Sequence, residues 1–398
     1  MGQSDGTDDE LSRPYTQEEF AMVPSRIISA DSHMIEPPDL WTTRLDKKLR
    51  DQAPHVENTA KGSYFVAPGL KPSPVSLGFG AGRSGQELKE HFKKGYESAP
   101  AGGWDPVERI KDQDIDGVSA EVLYTTYGMP LFSLPDAELQ RACFKAYNDW
   151  LAEFCAHDPR RFYGIGLVSL EDIGEGVKEL ERCAKIGLRG AQVWGAPPAD
   201  RPYWMRVWDP LWSAAQELAM PLSLHIGTGK HDRRPEKAPS VDPQTDARGP
   251  FMTSRYVNLI HELQRSFTDI ILGGVLERFP RLLLISAEND TGWIPHYMYR
   301  MDHGYEKFNA MSDQPLPQPP SFYIRRQMMA TFQDDPIGPM THEFFGADNY
   351  MWASDFPHTD CTWPNSRQVI ERDFARIPDD VTRKIVFENV ARVYRIEV

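Results

Sequence analysis

The stretch RIISADSHMIEPP, residues 26–38, is an apolar run that ends on an aspartate, a histidine and a glutamate and then breaks on two prolines. Alternation along an extended chain puts Asp31 and His33, two residues apart, on one face. Glu36 follows just past the run, where it can fold back over the same end. Buried charge at the end of a strand is costly unless it is paired, protonated or bound to a cation. The first question is therefore what lies beside this strand end.

Seven further apolar runs follow: SAEVLYTT (119–126), FYGIGLVS (162–169), LRGAQVWG (188–195), PLSLHIG (221–227), RLLLISAE (281–288), QMMATF (327–332) and YMWASDF (350–356). Helical patterns such as DAELQRACFKAYNDWLAEFCAHD, IGEGVKELERCAKIG and WDPLWSAAQELA lie between them. Near-continuous apolar strands separated by helices indicate a parallel sheet covered by helices. Eight such units predict an α/β fold, a closed (β/α)8 TIM barrel. An open doubly wound sheet is the alternative, but no GxGxxG follows the first strand.

One domain is expected over 25–398, with a disordered tail over 1–24. Two long insertions, about 38–104 and 228–252, follow strands one and five and so belong to the face where loops build active sites. In the first, HVENTAKGSYFVAPG reads as a hairpin.

The net charge of −14 argues against nucleic-acid and anionic-membrane partners. Four cysteines without a CxxC pair read as reduced thiols in a cytoplasmic protein. The acidic, polar N-terminal stretch has no signal-peptide pattern, and no segment reads as a transmembrane span. A homo-oligomer is the default expectation.

In a barrel the chemistry sits at the C-terminal ends of the strands. Those ends carry Asp31, His33, Glu36, His225, Glu288 and Asp355, with His358 one loop step beyond. Any one of them alone is more often a hydrogen-bonded structural group than a ligand. Together they make four carboxylates and two imidazoles with no matching ring of Lys or Arg. Two divalent ions balance that charge, and one leaves about two negative charges over. Asp334 and Asp335 orient ligands or cap the next helix. The nucleophile motifs GxSxG and Walker A are absent.

The motifs DSHMIEPPDLW, LHIGTG, ILGGVLERFPRLLLISAENDTGWIP, TFQDD and WASDFPHTDCTWP together resemble the amidohydrolase-related metal-dependent TIM barrels. That group includes the aminocarboxymuconate semialdehyde and resorcylate-type decarboxylases and various hydrolases. The resemblance implies metal ligands at Asp31, His33, His225 and Asp355. It departs at Glu288, where many members carry a catalytic histidine. With Glu36, that departure makes the chain similar to a nonheme diiron monooxygenase subgroup that acts on CoA-linked substrates.

The leading expectation is therefore two Fe ions on all six residues, with O2 as cosubstrate. Glu288 and His358 are the catalytic candidates, and an electron-donor reductase is a possible partner. The alternative is a Zn or Mn hydrolase or decarboxylase with one ion. Lys230, Arg233 and Arg234 (with Lys237 nearby) either dock an acyl-CoA phosphate or form a solvated loop. Trp194 and Trp293 either wall a substrate pocket or pack the core.

Overall fold

The computed structural model describes residues 23–60, 62–229 and 257–397. The tail expected over 1–24 and the 228–252 insertion lie almost entirely outside these residues, as do Lys230, Arg233 and Arg234.

All eight apolar runs form strands. They are β1 (Ile28–His33), β2 (Ala120–Tyr124), β3 (Phe162–Leu167), β4 (Gly190–Val193), β5 (Leu222–His225), β6 (Leu284–Ala287), β7 (Met328–Phe332) and β8 (Tyr350–Trp352). Every residue in them is buried, as expected of a sheet covered on both faces. Each strand pairs in parallel with the next, in chain order.

The first and last strands meet just past their ends. His33 N donates to Phe356 O at 2.7 Å, and Asp355 N donates to Asp31 O at 2.9 Å. These bonds close the ring and bring the two ligand-bearing segments together.

Alternation divides each strand between two cores. Leu222 and Leu224 face the surrounding helices, whereas Ile28, Ala30, Val122, Ile165 and Met351 fill the interior. The C-terminal helix Asn389–Tyr394 packs Val390 and Tyr394 into that interior cluster. In β1 the register slips between Ser29 and Ser32. This bulge lets Asp31 and His33 face inward although Ala30 already does.

Helices start where the sequence supplies caps. Asp105, Asp136 and Asp172 accept backbone N–H bonds at the starts of Pro106–Asp116, Ala137–Cys155 and Ile173–Lys185. The first insertion folds as an antiparallel sheet of His55–Thr59, Gly62–Val66 and Ser73–Pro74, including the expected hairpin. Its Phe65 stacks on Tyr127, ring centroids 5.4 Å apart, and Tyr96 Oη donates to Glu36 O at 2.6 Å. The insertion is thus seated on the loops after β1 and β2. All four cysteines are free. Among the described residues, no helix is long and apolar enough to cross a membrane.

Candidate metal centre

The inward ends of β1, β5, β6 and β8 bring Asp31, His33, His225, Glu288 and Asp355 together. His33 Nε2 lies 3.4 Å from Asp31 Oδ1, 3.4 Å from Asp355 Oδ1 and 3.9 Å from Glu288 Oε2. His225 Nε2 lies 3.2 Å from His33 Nε2, 3.4 Å from Glu288 Oε2 and 3.8 Å from Asp31 Oδ1. The Asp31 and Asp355 side chains are 2% and 1% exposed, and that of Glu288 is 19% exposed, so only Glu288 opens toward solvent.

The outer contacts aim the ligand atoms. His33 Nδ1 donates to Thr125 O at 2.7 Å, and His225 Nδ1 donates to Ile226 O at 2.9 Å. Each ring therefore turns its Nε2 inward, the arrangement in which a backbone carbonyl fixes a metal-binding imidazole. Two inward lone pairs 3.2 Å apart repel unless a cation or a proton sits between them. Asp31 Oδ2 accepts from Thr331 Oγ1 at 3.0 Å, but Asp31 Oδ1 and both Asp355 oxygens accept no hydrogen bond. His358 Nδ1 approaches Asp355 Oδ1 to 3.1 Å without hydrogen-bond alignment. Buried, unpartnered carboxylate oxygens facing two imidazole lone pairs are a donor set for a divalent cation. The residues present fit a bound metal.

Proton affinities carry the same signature. Burial opposes protonation of His225, but Asp31 outweighs it and pushes the pKa up to about 9. Burial also opposes ionisation of Asp31, but His225 and His33 hold it well below the usual carboxylate range. Burial and the Asp355 charge push Glu288 well up; burial and the Asp31 charge do the same to Asp355. His33 is lowered to about 3 by burial and by His358, and His358 to about 3 by burial and by His225. Glu288 and Asp355 reach the cluster on left-handed backbone, with φ of 53° and 58°. Non-glycine residues adopt that conformation at a cost that surrounding structure must offset.

Three sequence expectations need correction. Glu36 is buried beside the cluster but does not join it. Its carboxylate accepts from Thr125 Oγ1, from Tyr127 N at 2.9 Å and from Gly128 N at 3.2 Å. It anchors the loop after β2, including the carbonyl that orients His33. Second, the two metal-capable groups, His33–Glu288–Asp355–His358 and Asp31–His33–His225, share His33. Because its Nδ1 is committed to Thr125, His33 offers one nitrogen and serves one ion. Without Glu36 the charge excess that called for two ions also shrinks.

Third, neither tryptophan walls the cluster. Trp194 is fully buried, donates to Phe132 O at 3.3 Å and packs edge-on against Trp208. Trp293 donates to Asn289 O and packs on Tyr297 among the helices. Asp335 is a helix cap, accepting from Ile337 N and Gly338 N and also from Thr291 N. Asp334 pairs with Arg372. His358 stacks on His33, ring centroids 3.9 Å apart, with Nε2 3.0 Å from Thr126 Oγ1.

The model of the amidohydrolase family matches residues 98–396. The chain belongs to the amidohydrolase family. It is 24% identical to a gamma-resorcylate decarboxylase from Polaromonas sp. over 283 residues, spanning 68% of this chain and 83% of the relative. Among solved structures it resembles an amidohydrolase from Mycobacterium avium subsp. paratuberculosis, with TM-score 0.73, 21% identity and coverage of 94% and 98% of the two chains. It also resembles a dihydroxybenzoic acid decarboxylase from Polaromonas sp. with bound manganese and the inhibitor 2-nitroresorcinol, with TM-score 0.61, 18% identity and coverage of 93% and 97%.

These relatives overturn the oxygenase expectation. The gamma-resorcylate, 2-amino-3-carboxymuconate-6-semialdehyde and 5-carboxyvanillate relatives that the chain resembles are decarboxylases, not diiron monooxygenases. Two Fe ions, O2, a reductase and an acyl-CoA substrate were inferred from the subgroup resemblance, and nothing in these findings supports them.

Proposed function

We propose that this amidohydrolase-family chain is a metal-dependent, non-oxidative decarboxylase of small aromatic carboxylates. The observation that carries the reading is the pair of inward Nε2 atoms 3.2 Å apart beside the unpartnered oxygens of Asp31 and Asp355. The named activities of the similar decarboxylases support the reaction class, and the manganese in one similar structure supports the metal class.

His33, His225, Asp31 and Asp355 would hold one divalent ion of the Mn or Zn type. When bound, such an ion supplies Lewis-acid charge that neutralises an anionic substrate. The remaining chemistry belongs to the chain. Decarboxylation of an arene carboxylate puts a proton on the ring carbon that bears the carboxylate. The electron pair of the breaking C–C bond then returns to the ring as CO2 leaves.

Glu288 is the cluster's one acid open to an entering substrate, and we assign it as the carrier of that proton. His358, neutral and stacked on His33, is tied to Thr126 Oγ1 at the mouth. The nearly complete burial of Asp31 and Asp355 excludes water from the same volume.

The test combines metal analysis of the protein with anaerobic CO2 release from a panel of ortho-hydroxybenzoates. One ion per chain and oxygen-independent CO2 release are expected. Glu288→Gln should keep the ion but lose both CO2 release and solvent-deuterium exchange into the ring. Two ions per chain, or turnover that requires oxygen, would refute the reading.

A further inference from the structure

Arg109 lies in the helix Pro106–Asp116, outside the barrel, and is fully buried. All five of its N–H groups have acceptors. Nε and Nη2 grip Glu121 of β2 in a fork, at 2.7 and 3.0 Å. Nη1 donates to His33 O at 2.9 Å and to Gly102 O at 3.3 Å. Nη2 also donates to Phe356 O at 3.3 Å, and the guanidinium lies 4.7 Å from the centre of the Phe356 ring. Gln113 Nε2 completes the set with a 2.7 Å bond to Glu121 Oε2.

These acceptors are not scattered. His33 carries a candidate ligand, and Phe356 follows Asp355, another candidate ligand. Phe356 O is also the acceptor of His33 N in the bond that closes the ring of strands. Gly102 lies in the turn Ala101–Gly103 at the end of the first insertion, and the next carbonyl, Gly103 O, accepts from Ile35 N at 2.9 Å. The turn is closely packed. A Cβ on Gly102 would lie 2.0 Å from Asp112 Oδ2, and one on Gly103 would lie 2.6 Å from Ile35 Cβ.

We propose that Arg109 is a positioning residue that fixes the spacing of His33 and Asp355 through their backbones, and so sets the affinity of the metal site. Through Gly102 it also joins that affinity to the seating of the insertion. The inference rests on the single-ion reading above. It extends that reading to a residue that touches neither ion nor substrate. Because coupling between sites is reciprocal, metal binding should in turn protect residues 101–104. Lysine cannot stand in for Arg109. One ammonium has three N–H groups and no planar fork, so it cannot hold Glu121 bidentately and still reach both strand ends.

The experiment uses the full chain and Mn2+ alone as probe. Wild type, Arg109→Lys, Arg109→Met and Glu121→Gln are titrated with Mn2+ well below their melting temperatures, after circular dichroism has shown that they are folded. Leu180→Ala, a core change away from the seam, is the control for general destabilisation. Loss of an orienting contact around a metal ligand typically costs about 10–100-fold in affinity, and that loss is expected for both Arg109 variants. A smaller loss is expected for Glu121→Gln and none for Leu180→Ala.

Hydrogen exchange should slow at 101–104 when Mn2+ is added to wild type, but not in Arg109→Lys. Wild-type affinity in folded Arg109→Lys would overturn the proposal, as would equal loss in the Leu180→Ala control. If Arg109→Met does not fold, Arg109→Lys and Glu121→Gln decide the matter. If wild type binds neither Mn2+ nor Zn2+ in the same titration, the single-ion reading is refuted instead.

Discussion

Replacing Glu36 by Gln separates a loop strut from a metal ligand. The carboxylate holds three donors, Thr125 Oγ1, Tyr127 N and Gly128 N, in a fully buried site. In the variant one oxygen becomes an NH2 that accepts nothing. Thr125 Oγ1 is a second acceptor for Gly128 N, at 2.8 Å, whereas Tyr127 N has only Glu36. The amide is therefore expected to keep its oxygen toward Thr125 and to leave Tyr127 N buried and unpaired.

An unsatisfied buried N–H costs about 1–3 kcal/mol, and losing the charge-assisted character of the other bonds brings the total to about 2–4 kcal/mol. An unfolding entropy of roughly 2.1 cal/mol/K per residue amounts to about 0.8 kcal/mol/K for a chain of this size, so Tm should fall by about 2–5 °C. Differential scanning calorimetry reads that shift. Elemental analysis of the same sample should still find one ion per chain. A fall from two ions to one, with Tm unchanged, would show that Glu36 is a ligand and that the geometric argument is wrong.

Three other outcomes are expected. Metal must displace a proton from His225, whose pKa is raised to about 9 against burial by Asp31; affinity should therefore rise with pH up to about 9. Calorimetric titrations in buffers of different ionisation enthalpy should detect the released proton. Gln192, fully buried with neither side-chain heteroatom hydrogen-bonded, pairs in register with Ser223, two residues before His225. Gln192→Leu should raise stability by about 1–3 kcal/mol in denaturant titrations, because it removes an unsatisfied amide. A loss would mean that the amide is satisfied in solution. Trp194→Phe should cost about 1–3 kcal/mol through the lost bond to Phe132 O and the lost packing on Trp208, while KM stays unchanged.

Much of the site is legible because it is written locally. Asp31 and His33 stand two apart on a strand, and His225, Glu288 and Asp355 each close an apolar run; a barrel turns such strand ends toward one mouth. Glu36 shows the limit. Its position invites a ligand role, but its direction is decided by Thr125, Tyr127 and Gly128, about ninety residues away in the chain. Arg109 is invisible for a different reason. The helix Pro106–Asp116 buries Arg109, Gln113 and Asp116 and exposes Val107 and Ile115. Its polar residues at 109, 113 and 116 share one helical face, and that face turns inward. Read by hydrophobic pattern alone, the helix would be turned the wrong way round.

By itself the sequence determined the strand list, the parallel barrel and the ring of acids and histidines. These follow from period-two alternation, helix patterning and the rule that loops carry the chemistry. Only the tertiary structure showed which atoms of that ring are free to act as ligands. His33 Nδ1 is spent on Thr125 O, a carbonyl in the loop just past β2, so a single imidazole nitrogen of His33 remains for the cluster, and that commitment comes from a residue about ninety positions away.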